Sequence, residues 1–274
     1  MALYAIEAHG LAIRQACQVV GISRTAFYYE PKLNDDEKIE AKLRLLAKEK
    51  LRWGFGKMFP WLRRRGYGWN HKRVYRVYCA MKLNLRTKPK KRLPSRNPQP
   101  LAQPRSANVC WSLDFMHDSL LTGRPFRILH VLDDFNRELL GTEIDTSLSA
   151  ERVIRVLEQI AAWRGYPEYI RVDNGPEFIS RKLAEWAERN RVTIDFIEPG
   201  KPSQNAYIER FNRTYREEVL DLYLFRTLKE ARELSSEWMY EYNSERPHES
   251  LDDMTPYEYL KVYDKRAPST FEWY

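Results

Sequence analysis

The sequence predicts an α/β domain built on a mixed five-stranded sheet with flanking helices, preceded by an all-α region. Three observations carry this. Residues 109–225 alternate short β-branched runs with amphipathic stripes in the order βββαβαβα, the texture of a layered α/β fold. Residues 1–85 read as a series of short helices. Charge divides along the same line: residues 50–113 hold 17 Lys and Arg and no Asp or Glu, whereas residues 114–274 hold 22 basic against 31 acidic residues. A long stretch without acid beside an acidic domain is the footprint of a nucleic-acid-binding arm.

Composition removes several classes. The chain has 274 residues, 43% of them apolar, enough for a core and about two domains. Cys17, Cys79 and Cys110 form no C-x-x-C pair, which argues against a zinc finger or disulfide framework. No run approaches the roughly 18 apolar residues of a membrane helix, and no secretory signal is visible. A cytoplasmic, nucleoid-associated protein with reduced thiols is expected, without a membrane partner.

The elements are taken in chain order. Residues 11–19 and the segment capped by Ser23 form two short helices around Gly21, a helix-turn-helix pattern that would carry Arg24 to DNA; a small helical hairpin that binds nothing shares that pattern. Residues 35–50 form a charged helix. Residues 57–65 and 71–81 form two more, the second bearing Lys72, Arg73 and Arg76 near one side. Residues 86–108 are a Pro-rich linker whose Lys88, Lys90, Lys91 and Arg92 can track phosphates. Strands are expected at 110–116, 126–134 and 139–144 as an antiparallel meander, then a helix over 150–164 capped by Ser149. A fourth strand ends at Asp173, a helix covers 177–190, and a fifth strand covers 192–197.

A helix opened by Ser203 comes next. Ile208, Phe211, Tyr215, Val219 and Leu222 make its buried stripe, and Asn205, Glu209, Arg213 and Arg216 fall on a second stripe beside it. The tail is helical over 228–243 and again from Thr255-Pro256-Tyr257-Glu258, an N-cap with Pro at N1 and Glu at N3.

Asp114 stands mid-strand between Leu113 and Phe115, where a carboxylate is costly unless compensated. Asp173 ends a strand, and Glu209 comes 36 positions later on a helix edge. Such acids suit a shared divalent cation, since hard cations take carboxylate oxygen. Arg213 and Arg216 either hold phosphates beside the acids or pair with Glu217, Glu218 or another near acid. Asp133, Asp134 and Asp195 read as surface or turn acids, and Trp111, Trp163 and Trp186 as core. His248 either reaches the site or DNA, or is a structural histidine.

Three acids at this spacing resemble the DDE catalytic core of retroviral integrases and insertion-sequence transposases. The similarity is greatest to the transposase family whose elements carry two overlapping reading frames. Gln204-Asn205-Ala206-Tyr207-Ile208-Glu209-Arg210-Phe211-Asn212 and Tyr242-Asn243-Ser244-Glu245-Arg246-Pro247-His248 both resemble stretches typical of it. The resemblance implies a ribonuclease-H-like integrase core at 109–225, between a helix-turn-helix DNA-binding region at 1–85 with its linker at 86–108 and a helical extension at 226–274 packed on the core.

It implies a polynucleotidyl transferase that cleaves DNA at element ends and joins it by 3′-hydroxyl attack, with Asp114, Asp173 and Glu209 holding two Mg²⁺ ions, or Mn²⁺ in their place. Its partners would be double-stranded DNA of the terminal repeats and target, other copies of the chain on DNA, and an upstream-frame partner or fusion. Two alternatives stay open: a nuclease of ribonuclease-H type without joining activity, and a non-catalytic DNA-binding regulator.

Overall fold

The computed structural model describes residues 1–29, 36–85, 101, 103–198 and 202–264. They form two compact units, Met1–Ala41 and Lys42–Tyr274, with the division inside one helix. The first unit contains α1 (Ala2–His9), α2 (Ile13–Val20) and α3 (Arg24–Phe27). Gly21 closes α2 at φ 72°, a left-handed conformation that glycine adopts without cost. Ser23 Oγ then accepts from the Ala26 amide at 3.0 Å and opens α3. The start of α1 has no local signal, since Met1 supplies no capping side chain and Leu3 and Tyr4 are exposed, but Gly10 closes it at φ 62° with its amide on the Ile6 carbonyl.

α4 (Glu37–Glu49) leads into α5 (Phe55–Arg64) and α6 (His71–Ala80). Asn70 caps α6, accepting from the Lys72 amide at 2.9 Å. The sheet comes next: β1 (Cys110–Ser119), β2 (Pro125–Asp133) and β3 (Leu139–Asp145), then α7 (Ala150–Arg164), β4 (Tyr169–Val172), α8 (Arg181–Asn190) and β5 (Thr193–Phe196). The spatial order is β3-β2-β1-β4-β5. β1, β2 and β3 pair antiparallel, and β4 and β5 join parallel to β1. This is the mixed ribonuclease-H-like sheet.

Alternation along β1 divides the core. Trp111 and Leu113 face a cluster with Val153, Leu157, Leu183 and Trp186 of α7 and α8. Met116 faces the opposite cluster with Ile128, Leu132, Ile208, Phe211 and Tyr215. That second layer is built by α9 (Ala206–Tyr215) and α10 (Leu228–Ser244), while α11 (Pro256–Tyr263), whose capping box is formed by Thr255 and Glu258, packs Leu260 against Ala107 and Phe135.

Four local expectations change. The helix expected from residue 177 begins at Arg181, because the Gly175 carbonyl closes a turn with the Phe178 amide and Ser180 is the cap. The helix around Glu209 is not opened by Ser203: a 3₁₀ turn covers Pro202–Asn205, and Asn205 is the N-cap. It also does not continue regularly, because a π-helical turn, Arg216–Leu220, succeeds α9. Trp163 is 45% exposed, whereas Trp111 and Trp186 are fully buried as expected.

Asp133 and Asp134 are not surface acids but fully buried. Each is compensated. Asp133 accepts from the Asn108 and Phe135 amides at 3.0 Å and pairs with Arg164 at 3.3 Å. Asp134 accepts from Ser112 Oγ at 2.6 Å and pairs with Arg171 at 2.9 Å. Arg171 also reaches the half-exposed Asp195 at 3.0 Å. An acid in the interior is tolerable once hydrogen-bonded and paired, and the partners come from strands and helices remote in sequence.

Part of the basic stretch is used inside the protein. Lys57 lies 3.5 Å from Glu218, Arg65 lies 3.1 Å from Glu245, and Arg64 donates to the Asp253 carbonyl at 2.9 Å. Arg246 grips Glu218 through Nε and Nη2 at 2.9–3.2 Å, with both side chains 8% exposed. Removing one member of such a buried group strands the others. Glu218→Ala is therefore expected to cost about 3–5 kcal/mol. The triple change Lys57→Met, Glu218→Leu, Arg246→Met should recover most of that in urea unfolding, since nothing charged is then left unpaired.

Candidate active site

Asp114 lies mid-way along β1, on the face that α9 covers. The parallel ladder between β1 and β4 ends with Ser112 opposite Arg171. Asp114 lies two residues further along β1, and Asp173 follows the last residue of β4, near enough for its charge to act on Asp114. Asp173 Oδ1 accepts from the Gly175 amide at 3.0 Å. A Cβ at Gly175 would stand 2.9 Å from that same oxygen, so glycine keeps this acid in place. Glu209 sits in the first turn of α9, exposed, with Arg213 one turn on.

The electrostatics tie the three acids together. Burial pushes the Asp114 carboxyl up to about 6. The charges of Asp173 and Glu209 push the same way, while the Phe115 amide and the Asn212 side chain oppose. Burial also raises Glu209, and the Arg213 charge draws it back. Asp114 Oδ1 accepts from Phe115 N at 2.8 Å and Oδ2 from Asn212 Nδ2 at 2.7 Å.

Among the described residues, no group of three or more His, Cys, Asp and Glu side chains is arranged to hold a metal ion. Asp114 is held by Asn212, and Asp173 by the Gly175 amide. The donor set itself suits a hard divalent cation: the three groups offer carboxylate oxygen alone, and the charges of two raise the proton affinity of the third, a strain that a dication relieves.

The remaining expected residues differ in exposure. Arg24 and Lys72 are exposed, and Arg76 lies on the same exposed side of α6 as Lys72, with Arg73 partly covered. Lys88, Lys90, Lys91 and Arg92 lie outside the described residues. Asn205 does not stand on an open face: it is 3% exposed, because the 3₁₀ turn folds it inward as the N-cap of α9. Arg213 is exposed. Arg216, the first residue of the π-helical turn, donates to the His117 carbonyl at 3.0 Å and lies 3.8 Å from Asp118 at the end of β1. His248 is buried, its ring 4.7 Å from Tyr242, and burial lowers its pKa.

Three residues around the acids were not singled out from the sequence. Asn212 falls three positions after Glu209, and His130 pairs across the strands with Asp114. Arg127 closes over the Phe115 ring at 4.2 Å and pairs with Glu177, pinning the turn after Asp173 to β2. A lone histidine inside the apolar run 126–132 was the available signal for His130.

Comparison with known proteins agrees with this architecture. Two integrase core domain families match residues 104–202 and 190–256, and an HTH-like domain family matches residues 34–92. In fold the chain resembles a chain of the simian T-cell lymphotropic virus intasome in complex with PP2A regulatory subunit B56 gamma. The TM-score is 0.50, with 16% identity over 76% of this chain and 72% of that one. The class is thus an integrase-type, ribonuclease-H-like core with an HTH-like region.

Relatives by sequence narrow the class. The chain is 39% identical to an uncharacterized 31.7 kDa protein of insertion element IS407 from Burkholderia multivorans, over 97% of both chains. It is 37% identical to an uncharacterized 39.2 kDa protein of insertion element IS476 from Xanthomonas euvesicatoria, over 94% of this chain and 75% of that one. It is 25% identical to the putative transposase InsK of IS150 from Escherichia coli, over 87% and 89%. The protein belongs to the insertion-sequence transposase family with an integrase core. No helix among its described residues is long and apolar enough to cross a membrane.

The buried histidine beside the site generates a pH prediction. Burial holds His130 at about 4, below its unfolded value of about 6.5. As pH falls, the unfolded chain takes up the proton first, so this contribution is complete above about 6.5 and is lost between there and about 4. Its full size is about 3 kcal/mol. Asp133, raised to about 6 by burial, acts in the opposite sense. The difference between wild type and His130→Phe isolates the histidine: the variant should lose less stability between about pH 7 and about pH 4.5 in urea unfolding.

Proposed function

We propose that this transposase is a metal-dependent polynucleotidyl transferase that cleaves DNA at element ends and joins the freed 3′-hydroxyl to another phosphodiester. The observation that carries this reading is that the charges of Asp173 and Glu209 both act on the buried carboxylate of Asp114. In this reading these three residues hold two Mg²⁺ ions, or Mn²⁺ in their place. When bound, such ions activate the attacking oxygen and neutralise the leaving one in an in-line displacement.

The chain's own groups do the rest. Asn212 holds Asp114 by its Oδ2 oxygen. The Arg127–Glu177 pair steadies the turn that carries Asp173. Arg213, exposed one turn beyond Glu209, is set to hold a phosphate next to the one attacked. Arg24, Lys72, Arg73, Arg76 and the basic linker Lys88, Lys90, Lys91 and Arg92 bind double-stranded DNA of the terminal repeats and target. The chain acts as an oligomer on that DNA in the nucleoid.

Asp114→Asn, Asp173→Asn and Glu209→Gln each remove a ligand charge at little change in volume. Each is expected to abolish Mg²⁺-dependent cleavage and joining while DNA affinity in a gel-shift assay stays within a few-fold of wild type. Near-normal joining by any one of them removes that residue from the site.

The two arginines separate by their contacts. Arg213→Ala should lose most joining of a pre-cut end with its melting temperature unchanged. Arg216→Ala should lower the melting temperature slightly, because its contacts are with β1, and should keep more of the joining activity. Strand-transfer gels and thermal melts of both variants check this order.

A further inference from the structure

Behind Asp114 runs a chain of three polar side chains. The strand register sets Asp114 opposite His130, so both project from the face that α9 covers. Asn212, one turn after Glu209, lies between them. Its Nδ2 donates to Asp114 Oδ2 at 2.7 Å, and its Oδ1 stands 2.8 Å from His130 Nδ1.

The donor rules leave one arrangement. An ionised carboxylate only accepts, so the Asn212 amide turns its NH₂ toward Asp114. Its carbonyl then faces His130, and only a protonated Nδ1 can meet it. The proton of a neutral imidazole therefore sits on Nδ1 and leaves Nε2 bare. Nε2 is buried and has no partner among the described residues. The ring is fully buried, edge-on to Phe211 at 4.9 Å and Tyr215 at 4.5 Å between centroids. A ring needed for packing alone would not bring an unpaired nitrogen into this apolar layer, where an unmet polar atom is costly.

We propose that His130 is a positioning residue for the metal-binding carboxylate: its Nδ1–H fixes the Asn212 amide, and the amide fixes Asp114 Oδ2. This rests on the proposed role of Asp114 as a metal ligand. Without the Nδ1 donor, the amide is free to turn its carbonyl toward the carboxylate, which would repel Asp114 from its ligating position. His130 touches neither DNA nor metal in this scheme and acts only through Asn212, as outer partners of metal ligands do.

The test uses the full chain and has two readouts besides activity. The first is the imidazole ¹⁵N spectrum, which reports the protonated nitrogen. The expected result is the Nδ1–H form in wild type and loss of that preference in Asn212→Ala. The second is Mn²⁺ affinity by calorimetry. His130→Phe should weaken it about tenfold, and adding His130→Phe to Asn212→Ala should weaken it no further. His130→Asn, whose amide nitrogen takes the place of Nδ1, should restore much of the loss.

An Nε2–H tautomer in wild type overturns the proposal. So does wild-type Mn²⁺ affinity in a folded His130→Phe, or losses that add in the double variant. If His130→Phe does not fold, His130→Asn and the wild-type tautomer decide the matter. If Asp114→Asn leaves Mn²⁺ binding unchanged, the metal reading of Asp114 fails by itself, and the tautomer and its dependence on Asn212 then decide whether the relay exists.

Discussion

A carboxylate placed mid-way along a core strand sets the terms for everything around it. Asp114 lies between Leu113 and Phe115, which point into the opposite apolar layer, so its own side chain enters the layer under α9. Desolvation there favours the protonated form, and the neighbouring charges of Asp173 and Glu209 favour it further. The fold answers with two hydrogen bonds, from the Phe115 amide and from Asn212, and among the described residues no Lys or Arg pairs with it. A purely structural acid would be expected to carry an arginine, as Asp133 and Asp134 do. The contrast between these acids separates a site that keeps its negative charge available from sites that have it neutralised.

Much of this was legible in the sequence because it depends on local periodicity. The strand and helix order, the helix from Ala150 to Arg164, the Ser23 cap and the Thr255–Glu258 capping box all derive from spacing and capping chemistry. Of the three acids only Asp114, between Leu113 and Phe115, is out of pattern; Asp173 and Glu209 were singled out by their spacing and their places at a strand end and a helix edge. What local reading missed depends on partners far along the chain. Asp133 and Asp134 come after an apolar run and before a turn, which reads as surface, but Arg164 and Arg171 arrive from α7 and β4 to bury them. Asn212 and His130 are ordinary residues until the register of β1 and β2 and the seating of α9 bring them to Asp114.

The π-helical turn after α9 shows how a small irregularity redirects side chains. Regular helical spacing carries Arg216 onto the stripe of Glu209 and Arg213. A π turn adds a residue to the turn and rotates the residues beyond it. Arg216, the first residue of the turn, reaches the end of β1, and Glu218, inside it, meets Arg246 and Trp238. Phe211, Tyr215 and Val219 stay buried at four-residue steps, whereas Leu222, expected on the same stripe, lies beyond the π turn and is only partly covered.

The same turn joins the helical elements to the acids. Lys57 of α5 and Arg246, just beyond α10, meet on Glu218, nine residues past Glu209, while Arg52 donates to the Glu217 carbonyl at 3.2 Å. Exposed pairs of this kind would contribute little, but Glu218 is held well inside, and the Arg246 charge keeps its carboxyl below the usual range against the pull of burial. Moving α5 would therefore either strand Glu218 or drag the end of the helix that bears Glu209. Lys57 and Arg64 of α5 thus act first as struts of the acidic region. Lys72 of α6 is exposed and takes no part in these contacts, and it is to such residues that the proposed function gives the DNA. The charge asymmetry of the sequence divides, on that reading, into a structural part and a binding part.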